Sequence, residues 1–403
     1  GYNAGQANLT GDSNVFIGHN AGDGTTDVDN TVIIGAGAGS VVMTGSGGAD
    51  GTVAIGKDSL AALTSGAGNT AVGYKAGDSL NSSGNNVIIG FEAMTTATTA
   101  SDNNVAIGYQ AMNGGHTTDD VDGCVAIGRL AMGAGSLEAG VSGSVAVGRE
   151  ALEASTSGAK NVAIGLEAAT AITIGGYNVA IGSEALYTED IGNSSTAVGF
   201  QALYGQDSNS NNEETGNTAL GWSAGYYNVT GNNNTYLGTA AGKGTTPASN
   251  SDNTAIGKDA LLSIQTAGNN VVIGTAAGDA ITTGGNHVLI GVGAGGNFAD
   301  DTDNVFIGYG CGSGAINGAD KCVAIGSSAF GGAATQDGTV AIGYQALDAL
   351  TSGAGNLAVG YQAGAVITSG LGNTAMGYQA LNQHVDGHRN MAIGYQAMYQ
   401  NGG

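Results

Sequence analysis

Pairs of aspartates separated by one residue are the first feature of this sequence that could do chemistry. They lie just before short apolar segments, in the pattern Asp-x-Asp-Asn/Gly, at Asp27 and Asp29, Asp120 and Asp122, and Asp301 and Asp303. Alternating carboxylates in a loop supply the oxygen ligands that Ca²⁺ prefers. Since the spacing of a complete EF-hand loop is missing, a solvated turn held by Asx-type hydrogen bonds is the alternative. Apart from calcium at these aspartates, the sequence predicts no cofactor.

The histidines and cysteines offer fewer arrangements that could bind or react. His384 and His388 are the only close pair, in a loop with Asp386, where a surface loop or transition-metal ligation would explain them. Cys311 and Cys322 are near enough to meet, yet we expect them to stay reduced, because three cysteines do not make a disulfide framework. We find no convergent Ser/His/Asp set and no carboxylate pair in an apolar setting. The sequence therefore predicts a protein that is not an enzyme.

Glycine-rich stretches such as residues 35–39 are the remaining candidates for a binding loop. A dinucleotide fingerprint needs a helix directly after the glycines and an acidic residue about twenty positions on. No helical pattern follows here, and no Gly-Lys pair continues to Ser or Thr as a phosphate loop requires. These glycines are interpreted as structural turns.

Composition excludes several classes of protein. Nine Lys and Arg stand against 32 Asp and Glu, a net charge of −23, which argues against partners such as nucleic acid and against insertion into or binding to an anionic membrane. Hydrophobic residues make up 41% and charged residues 10%, which argues against disorder. With 76 glycines but a single proline and no glycine at every third position, the chain is not collagen.

A tandem repeat explains the glycines. The phrase Asn-Val-Ala-Ile-Gly and its near copies recur along the chain, and we number each copy from its last glycine, which is position 0. There are 23 such glycines, and fifteen of the 22 intervals are 17 residues long while the others run from 18 to 22. No interval is shorter, so 17 residues are the minimum for one structural turn. Longer copies carry loop insertions.

Each position within the repeat has its own chemistry. Position −1 is always aliphatic, position −3 is Val, Thr, Leu or Met, and position −2 is apolar, usually Ala. Position +3 is Ala in 21 copies and position −4 is Asn in fourteen. Residues that represent the structural positions 0, +3 and −4 are Gly108, Gly165, Gly182, Gly343 and Gly377, then Ala111, Ala168 and Ala346, then Asn104, Asn161 and Asn373.

This pattern predicts an all-β fold, a parallel β-solenoid of the β-roll type. Val-Ala-Ile is a β-rich segment too short for a helix, and a three-residue strand has to stack on the next copy to be stable. We expect two short strands in each coil of about 17 residues, about 22 coils, and one array over residues 1–403 that is a segment of a longer fibre. Position 0 should be a corner with positive φ, position +3 a cramped interior site, and position −4 a ladder of stacked amides.

The strand pattern also predicts a partner. Positions −3 and −1 point to one face of a strand and −2 to the other; position −1 is aliphatic and position −2 is apolar in every copy. A strand that is apolar on both faces is buried on both, one inside its own coil and the other against a second surface. Because that surface repeats, we expect the partner to be the chain itself, in a parallel homo-oligomer.

Tyrosine recurs at position +1, often with Gln at +2, as at Tyr344 and Gln345. A row of these residues along an outer edge could contact sugars. Stacking from coil to coil, covering the Ala-rich turn, is the simpler interpretation.

The repeat resembles the head repeats of YadA-like trimeric autotransporter adhesins, as in Ser144-Val145-Ala146-Val147-Gly148-Arg149-Glu150-Ala151. Copies such as residues 373–381 are also similar to repeats in phage tail fibres, and the resemblance spans the whole chain. It implies a left-handed parallel β-roll with three chains around one axis, so the number three comes from this resemblance.

The function expected from these observations is structural. We expect a rigid, acidic, extracellular rod on a virion or cell surface, forming the shaft or head of a viral tail fibre or a similar attachment fibre. A host-cell surface or glycan receptor is a possible partner. The alternatives are the head of a bacterial trimeric autotransporter adhesin and, from another class, a polysaccharide-degrading fibre.

Overall fold

The structure is a computed structural model that describes residues 1–43, 48–97, 101–114, 121–133, 135–209, 213–314, 318–383 and 385–399. Its regular elements are 22 strands of three residues each and one 3₁₀ turn at Ala139–Val141. In chain order the strands are β1 Val15–Ile17, β2 Val32–Ile34, β3 Val53–Ile55, β4 Thr70–Val72, β5 Val87–Ile89, β6 Val105–Ile107, β7 Val125–Ile127, β8 Val145–Val147, β9 Val162–Ile164, β10 Val179–Ile181, β11 Thr196–Val198, β12 Thr218–Leu220, β13 Thr235–Leu237, β14 Thr254–Ile256, β15 Val271–Ile273, β16 Val288–Ile290, β17 Val305–Ile307, β18 Val323–Ile325, β19 Val340–Ile342, β20 Leu357–Val359, β21 Thr374–Met376 and β22 Met391–Ile393.

The chain divides into two compact units. The first comprises Gly1–Phe200 and Asp207–Glu214, and the second comprises Gln201–Gln206 and Thr215–Gly403. Strands β1–β11 belong to the first unit and β12–β22 to the second, and within each unit every strand pairs in parallel with the next one in sequence. That all 403 residues form a single array stays a prediction.

The strands stack in strict register, so that each repeat position faces the same position in the next coil. In the first unit Val179, Ala180 and Ile181 lie opposite Thr196, Ala197 and Val198. This pairing of like positions confirms the predicted all-β parallel β-solenoid. It also explains the constant phase of the repeat, because shifting a strand by one residue would turn its inward side chain outward.

The expectation of two strands per coil was wrong for the described residues, where each coil carries one strand. The opposite side of the coil is a run of turns. Its backbone still bonds from coil to coil: the N–H of Gln362 donates to the carbonyl of Tyr344 at 2.8 Å, and that of Leu347 to Ala363 at 3.1 Å. Residues at positions +2 and +4 adopt positive φ, as at Gln345 (φ 50°) and Leu347 (φ 51°), which is incompatible with an extended strand.

The core of each coil lies between the strand and these turns. Position −2 points inward, and so do the alanine at +3 and the residue at +4. Ala146, Ala151 and Leu152 are all fully buried. Positions −3 and −1 therefore point away from the core of the coil.

Large side chains in the core are accommodated by glycine. Where position −2 is aromatic, position +4 is Gly in place of Leu or Met. A methyl group on Gly242 would lie 2.2 Å from the ring of Tyr236, and one on Gly312 would lie 2.4 Å from Phe306. The core volume is thus divided between the two positions, as close packing requires.

The position-0 glycines form a corner where successive coils approach closely. Gly165 has φ 145°, and a methyl group placed on it would lie 2.3 Å from the carbonyl oxygen of Gly182. Gly108, Gly343 and Gly377 have the same geometry, with the added carbon 2.3–2.5 Å from the next corner carbonyl. Gly182 is equally close to Gly199, so any side chain here would separate the coils.

Candidate interaction surface

The outward face of the strands, formed by positions −3 and −1, repeats in every described strand. We call it the outer sheet face. It consists of Val, Ile, Leu, Met and Thr side chains in every strand. Exposure of these side chains is considerable for apolar groups, reaching 55% at Ile17, 47% at Leu220 and 69% at Met391. Isolated exposed hydrophobics are ordinary, but a continuous apolar strip in each unit is typical of an interaction surface.

The outer sheet face carries no charged side chain in any of the 22 strands, although the chain carries a net charge of −23. The acidic residues lie elsewhere in the coil, for example Glu150 at position +2 and Asp29 at position −6. Apolar and charged surface are therefore separated within every repeat. A face built in this way can approach another face without bringing like charges together.

Asparagines at position −4 form a buried ladder beside the strands. The backbone N–H of Asn373 donates to Oδ1 of Asn356 at 2.9 Å, and Oδ1 of Asn373 accepts the N–H of Asn390 at 2.9 Å. The side-chain amide of Asn373 donates to the carbonyl of Gly387 at 2.7 Å. Each Asn side chain thus supplies one acceptor and one donor to the next coil.

The same ladder runs through the first unit. Asn104 donates its N–H to Asn86 at 2.8 Å and accepts the N–H of Cys124 at 2.8 Å. Oδ1 of Asn161 accepts the N–H of Asn178 at 2.9 Å. These bonds satisfy buried polar groups that would otherwise cost about 1–3 kcal/mol each when left unpaired.

A second ladder, at position −6, contains several of the aspartates considered as calcium ligands. Oδ1 of Asp29 accepts the backbone N–H of Asp12 at 2.6 Å, and the N–H of Asp29 donates to Asp50 at 2.8 Å. Asp122 accepts the N–H of Asp102 in the same way at 2.7 Å. Asp occupies position −6 in seven copies, and this constant distance from the corner glycine marks the ladder in the sequence. The geometry is that of an Asx-type bond between coils.

The other predicted calcium ligands lie in different surroundings. Asp27 accepts a hydrogen bond from Thr26 at 3.0 Å, and Asp120 lies outside the described residues. Asp301 is buried and accepts the N–H groups of Gly318 and Ala319 at 2.6 and 2.8 Å, and burial raises the pKa of its carboxyl.

Asp303, in contrast, is exposed and accepts a hydrogen bond from Thr302 at 3.2 Å. The two carboxylates of this pair therefore lie in unlike environments. Among the described residues no three His, Cys, Asp or Glu side chains cluster as metal ligands would. Calcium binding stays a prediction, which a calcium titration followed by thermal melting tests.

Tyrosines at position +1 stack from coil to coil along one edge of the second unit. The rings of Tyr344, Tyr361, Tyr378 and Tyr395 follow one another at 5.1–5.2 Å, with interplanar angles of 7–18°. Both faces of the Tyr361 and Tyr378 rings are covered by their neighbours. Only ring edges and hydroxyls are left for a ligand, which favours the stacking interpretation over sugar contact.

Glutamines at position +2 accompany the tyrosines. The amide of Gln362 donates to Gln345 at 2.9 Å, that of Gln379 to Gln362 at 2.9 Å, and that of Gln396 to Gln379 at 3.0 Å. A primary amide is both donor and acceptor, so identical residues can continue the chain of bonds.

All three cysteines are buried and free. Burial raises the pKa of the Cys311 thiol to about 12, which keeps it protonated and unreactive at neutral pH. Burial also raises the pKa of the thiols of Cys124 and Cys322, which occupy the −4 ladder. The expectation that Cys311 and Cys322 stay reduced agrees with this geometry.

The histidines differ from one another more than the sequence indicates. His19 and His388 are exposed, and His384 lies outside the described residues. His287 is fully buried in the −4 ladder, in a position normally held by Asn. His287 lies four residues before the corner glycine Gly291, and this spacing could have identified it in the sequence as a member of the −4 ladder.

In the part of the chain that the structure describes, no helix has the length and apolar character needed to cross a membrane. No protein-family model matches the chain, and no curated protein sequence matches it.

Proposed function

We propose that the chain is a structural component of an extracellular attachment fibre, in which copies associate through the outer sheet face. The observation that carries this proposal is that this face has no charged side chain in any of the 22 strands and an apolar side chain at position −1 in every one of them. A face of this kind in water favours association, because burial of apolar area is the main driving force for contact between proteins.

The chain itself is the partner that matches this surface best. The side chains of positions −3 and −1 repeat with each coil, and a second copy presents the same spacing in the same order. Each half-exposed Val, Ile or Leu that becomes buried contributes on the order of 1 kcal/mol. Summed over many strands, small contributions give a stable parallel association. The proposed number of three copies comes from the resemblance to YadA-like heads.

Charge supports the same arrangement. With −23 per chain, associated copies would repel one another unless their carboxylates stayed in water. The outer sheet face contains none of these carboxylates, so the copies can meet there while the acidic positions stay solvated and screened by salt over about 10 Å. The remaining charge keeps separate fibres apart.

The biological location of the fibre and its receptor are proposed from the resemblance of the repeats. A virion surface, as in a viral tail fibre, and a host-cell or glycan receptor follow from the resemblance of the repeats. The head of a bacterial trimeric adhesin is the alternative with the same fold. Release of reducing ends from a panel of polysaccharides would favour a polysaccharide-degrading fibre.

Sedimentation analysis tests the association. We expect a particle with three times the mass of one chain, and a monomer at micromolar concentration would contradict the proposal. Ile164→Glu places a charge on the outer sheet face, whereas Leu166→Glu places it at position +1. The two side chains are 39% and 40% exposed, which makes them a matched pair.

We expect Ile164→Glu to shift the equilibrium toward monomer by at least tenfold and Leu166→Glu to leave it unchanged. Equal effects of the two variants would show that the copies do not meet at the outer sheet face. Circular dichroism of both variants checks that the β-solenoid itself is intact.

A further inference from the structure

His287 occupies a place in the buried −4 ladder that belongs to asparagine in fourteen of the copies. Its neighbours on the ladder are Asn270 in the preceding coil and Asn304 in the following one. The backbone N–H of His287 donates to Oδ1 of Asn270 at 2.9 Å, so the histidine bonds to the preceding coil as an asparagine would.

The imidazole ring replaces both functions of the missing amide. Its Nδ1 accepts the backbone N–H of Asn304 at 3.2 Å, and its Nε2 lies 2.8 Å from the carbonyl oxygen of Asp301. Because the N–H of Asn304 can only donate, Nδ1 has to be the unprotonated nitrogen, and Nε2 carries the hydrogen. The arrangement needs the neutral ring in this one tautomer.

We propose that His287 is an acid-sensitive rung, at which protonation of the ring opens the stack between residues 287 and 304. A proton on Nδ1 removes the acceptor for Asn304 and places two donors against each other inside the core. An asparagine rung has no such response, since its amide does not titrate between pH 5 and 8. Acid sensitivity is thereby confined to one coil of the second unit. The inference does not depend on how many copies associate.

The surroundings of the ring oppose its protonation in the closed stack. Burial, beside the ring of Phe298 at a centroid distance of 4.9 Å, lowers the pKa of His287 below its ordinary value of 6.5. The hydrogen bond to the backbone carbonyl of Asp301 and the carboxylates of Asp303 and Asp320 raise the pKa of His287 but do not outweigh the burial. In an opened segment His287 titrates near its ordinary pKa of 6.5, whereas in the closed stack the ring stays neutral. The stability of the stack therefore falls as the pH falls below 6.5.

Asp301, in the following coil, provides an opposite trend. Burial raises the pKa of its carboxyl, so the closed form gains stability when the pH falls through that titration. A loss of stability on acidification therefore cannot come from Asp301. The exposed His388, whose Nδ1 accepts the N–H of Leu371 at 3.1 Å, is a natural comparison, because water can replace its bond.

Hydrogen exchange read by mass spectrometry tests the proposal on the full chain. Peptides covering residues 285–307 report the histidine rung, and peptides covering 353–375 report the asparagine rung of Asn356 and Asn373. Between pH 7.5 and 5.0, after correction for intrinsic exchange, we expect protection of 285–307 to fall by up to about 30-fold, the limit for a pKa of 6.5 in the open state. Protection of 353–375 should not change.

Three variants assign the effect. His287→Asn should abolish the loss of protection, whereas His388→Asn should leave it at the wild-type size. Asn356→His should transfer acid sensitivity to residues 353–375, because the side chain of Asn356 accepts the N–H of Asn373 as His287 accepts that of Asn304. Unchanged protection of 285–307 in the wild type would overturn the proposal, and this result does not depend on whether a variant folds. A loss that persists in His287→Asn would overturn it as well.

Discussion

Two stretches of the molecule solve the same packing problem with different side chains. In the first unit, positions +1 and +2 near β8 carry ions: Arg129 pairs with Glu150, and Arg149 pairs with Glu150 and Glu167. In the second unit, the same positions near β20 carry the stacked tyrosines and the bonded glutamines. The backbone is alike in both stretches, so the difference lies in whether a residue tolerates a copy of itself one coil away.

Tyrosine and glutamine are compatible with their own copies, because ring faces stack and an amide both donates and accepts. Carboxylates at position +2 are less compatible with their own copies, because Glu150 and Glu167 carry the same charge and repel each other. Arg149 pairs with both of them and offsets this repulsion. Glu153 shows the effect of nearby carboxylates on one another. Burial is the main cause that raises the pKa of its carboxyl, and the negative charge of Glu150 raises it further. In these two stretches, the neutral side chains form ladders with their own copies in successive coils, whereas the carboxylates of Glu150 and Glu167 at position +2 pair with arginines at position +1.

The largest effect should come from the corner that both stretches share. Gly148→Ala and Gly360→Ala would place a methyl group 2.1 and 2.5 Å from the next corner carbonyl, at positive φ. We expect each to destabilise its coil by about 2–5 kcal/mol, from backbone strain and overpacking. Local hydrogen exchange measures the loss. Gly355→Ala, with no atom within 4 Å of the added carbon, is the control and should cost about 1 kcal/mol. A larger loss in one stretch than in the other would break the claim of a common backbone.

The interior offers the next test, because β8 has an alanine–leucine core pair in Ala146 and Leu152 and β19 has one in Ala341 and Leu347, whereas β13 has a large residue at position −2 and glycine at +4. Gly242→Leu alone should cost about 3 kcal/mol or more, since the leucine and the Tyr236 ring need the same space. Tyr236→Ala combined with Gly242→Leu reproduces the pair Ala255 and Leu261 of the next coil and should recover much of the loss. A double-mutant cycle by urea denaturation measures the coupling. Additive effects would show that the two positions do not share volume.

The sequence predicted the parallel β-solenoid because the repeat fixes both the period and the phase of every coil. Position −4 was recognisable for the same reason, as its amides recur beside a strand. Which strand face points inward could not be predicted, since Ala at −2 and Ile at −1 are both apolar. The choice depends on volume: two alanines and a leucine fit inside a 17-residue coil, whereas rows of Ile and Val do not.

Other features needed the three-dimensional arrangement. The prediction of a second strand in each coil was wrong because positions +2 and +4 adopt positive φ. The residue types found there, such as Gln345 and Leu347, do not indicate this conformation. In the sequence, Asp29 and Asp122 each belong to a pair of aspartates that suggested a metal site. In the structure the carboxylate of each accepts a backbone N–H from the preceding coil. The compensating pair of Tyr236 and Gly242 was visible in the sequence as a correlation between two positions, and it was missed.

Breaking the glutamine ladder should have a smaller effect. Gln362→Glu removes the donor to Gln345 and places a carboxylate oxygen against an amide oxygen. We expect a loss of about 1–2 kcal/mol at pH 7, because an acceptor is left facing an acceptor. The loss should diminish as the pH falls and the carboxyl becomes protonated, since a protonated carboxyl can donate again. Hydrogen exchange of residues 344–380 at pH 7 and 4 measures this. A loss that is independent of pH would indicate a packing effect.

Salt should distinguish the two stretches by the smallest amount. The ion pairs of Arg129 and Arg149 are partly exposed, and such pairs contribute about 0.2–1 kcal/mol at low ionic strength. Raising the salt concentration from 0.05 to 1 M shortens the screening length to about 3 Å, so protection of residues 129–167 should fall by a few tenths of a kcal/mol. The described residues of the segment 344–396 form no such pair, and this segment should gain or keep protection, because salt strengthens apolar stacking. If both stretches respond equally, the ion pairs contribute nothing to the ladder, and alternation of charge in the first unit only avoids repulsion between carboxylates.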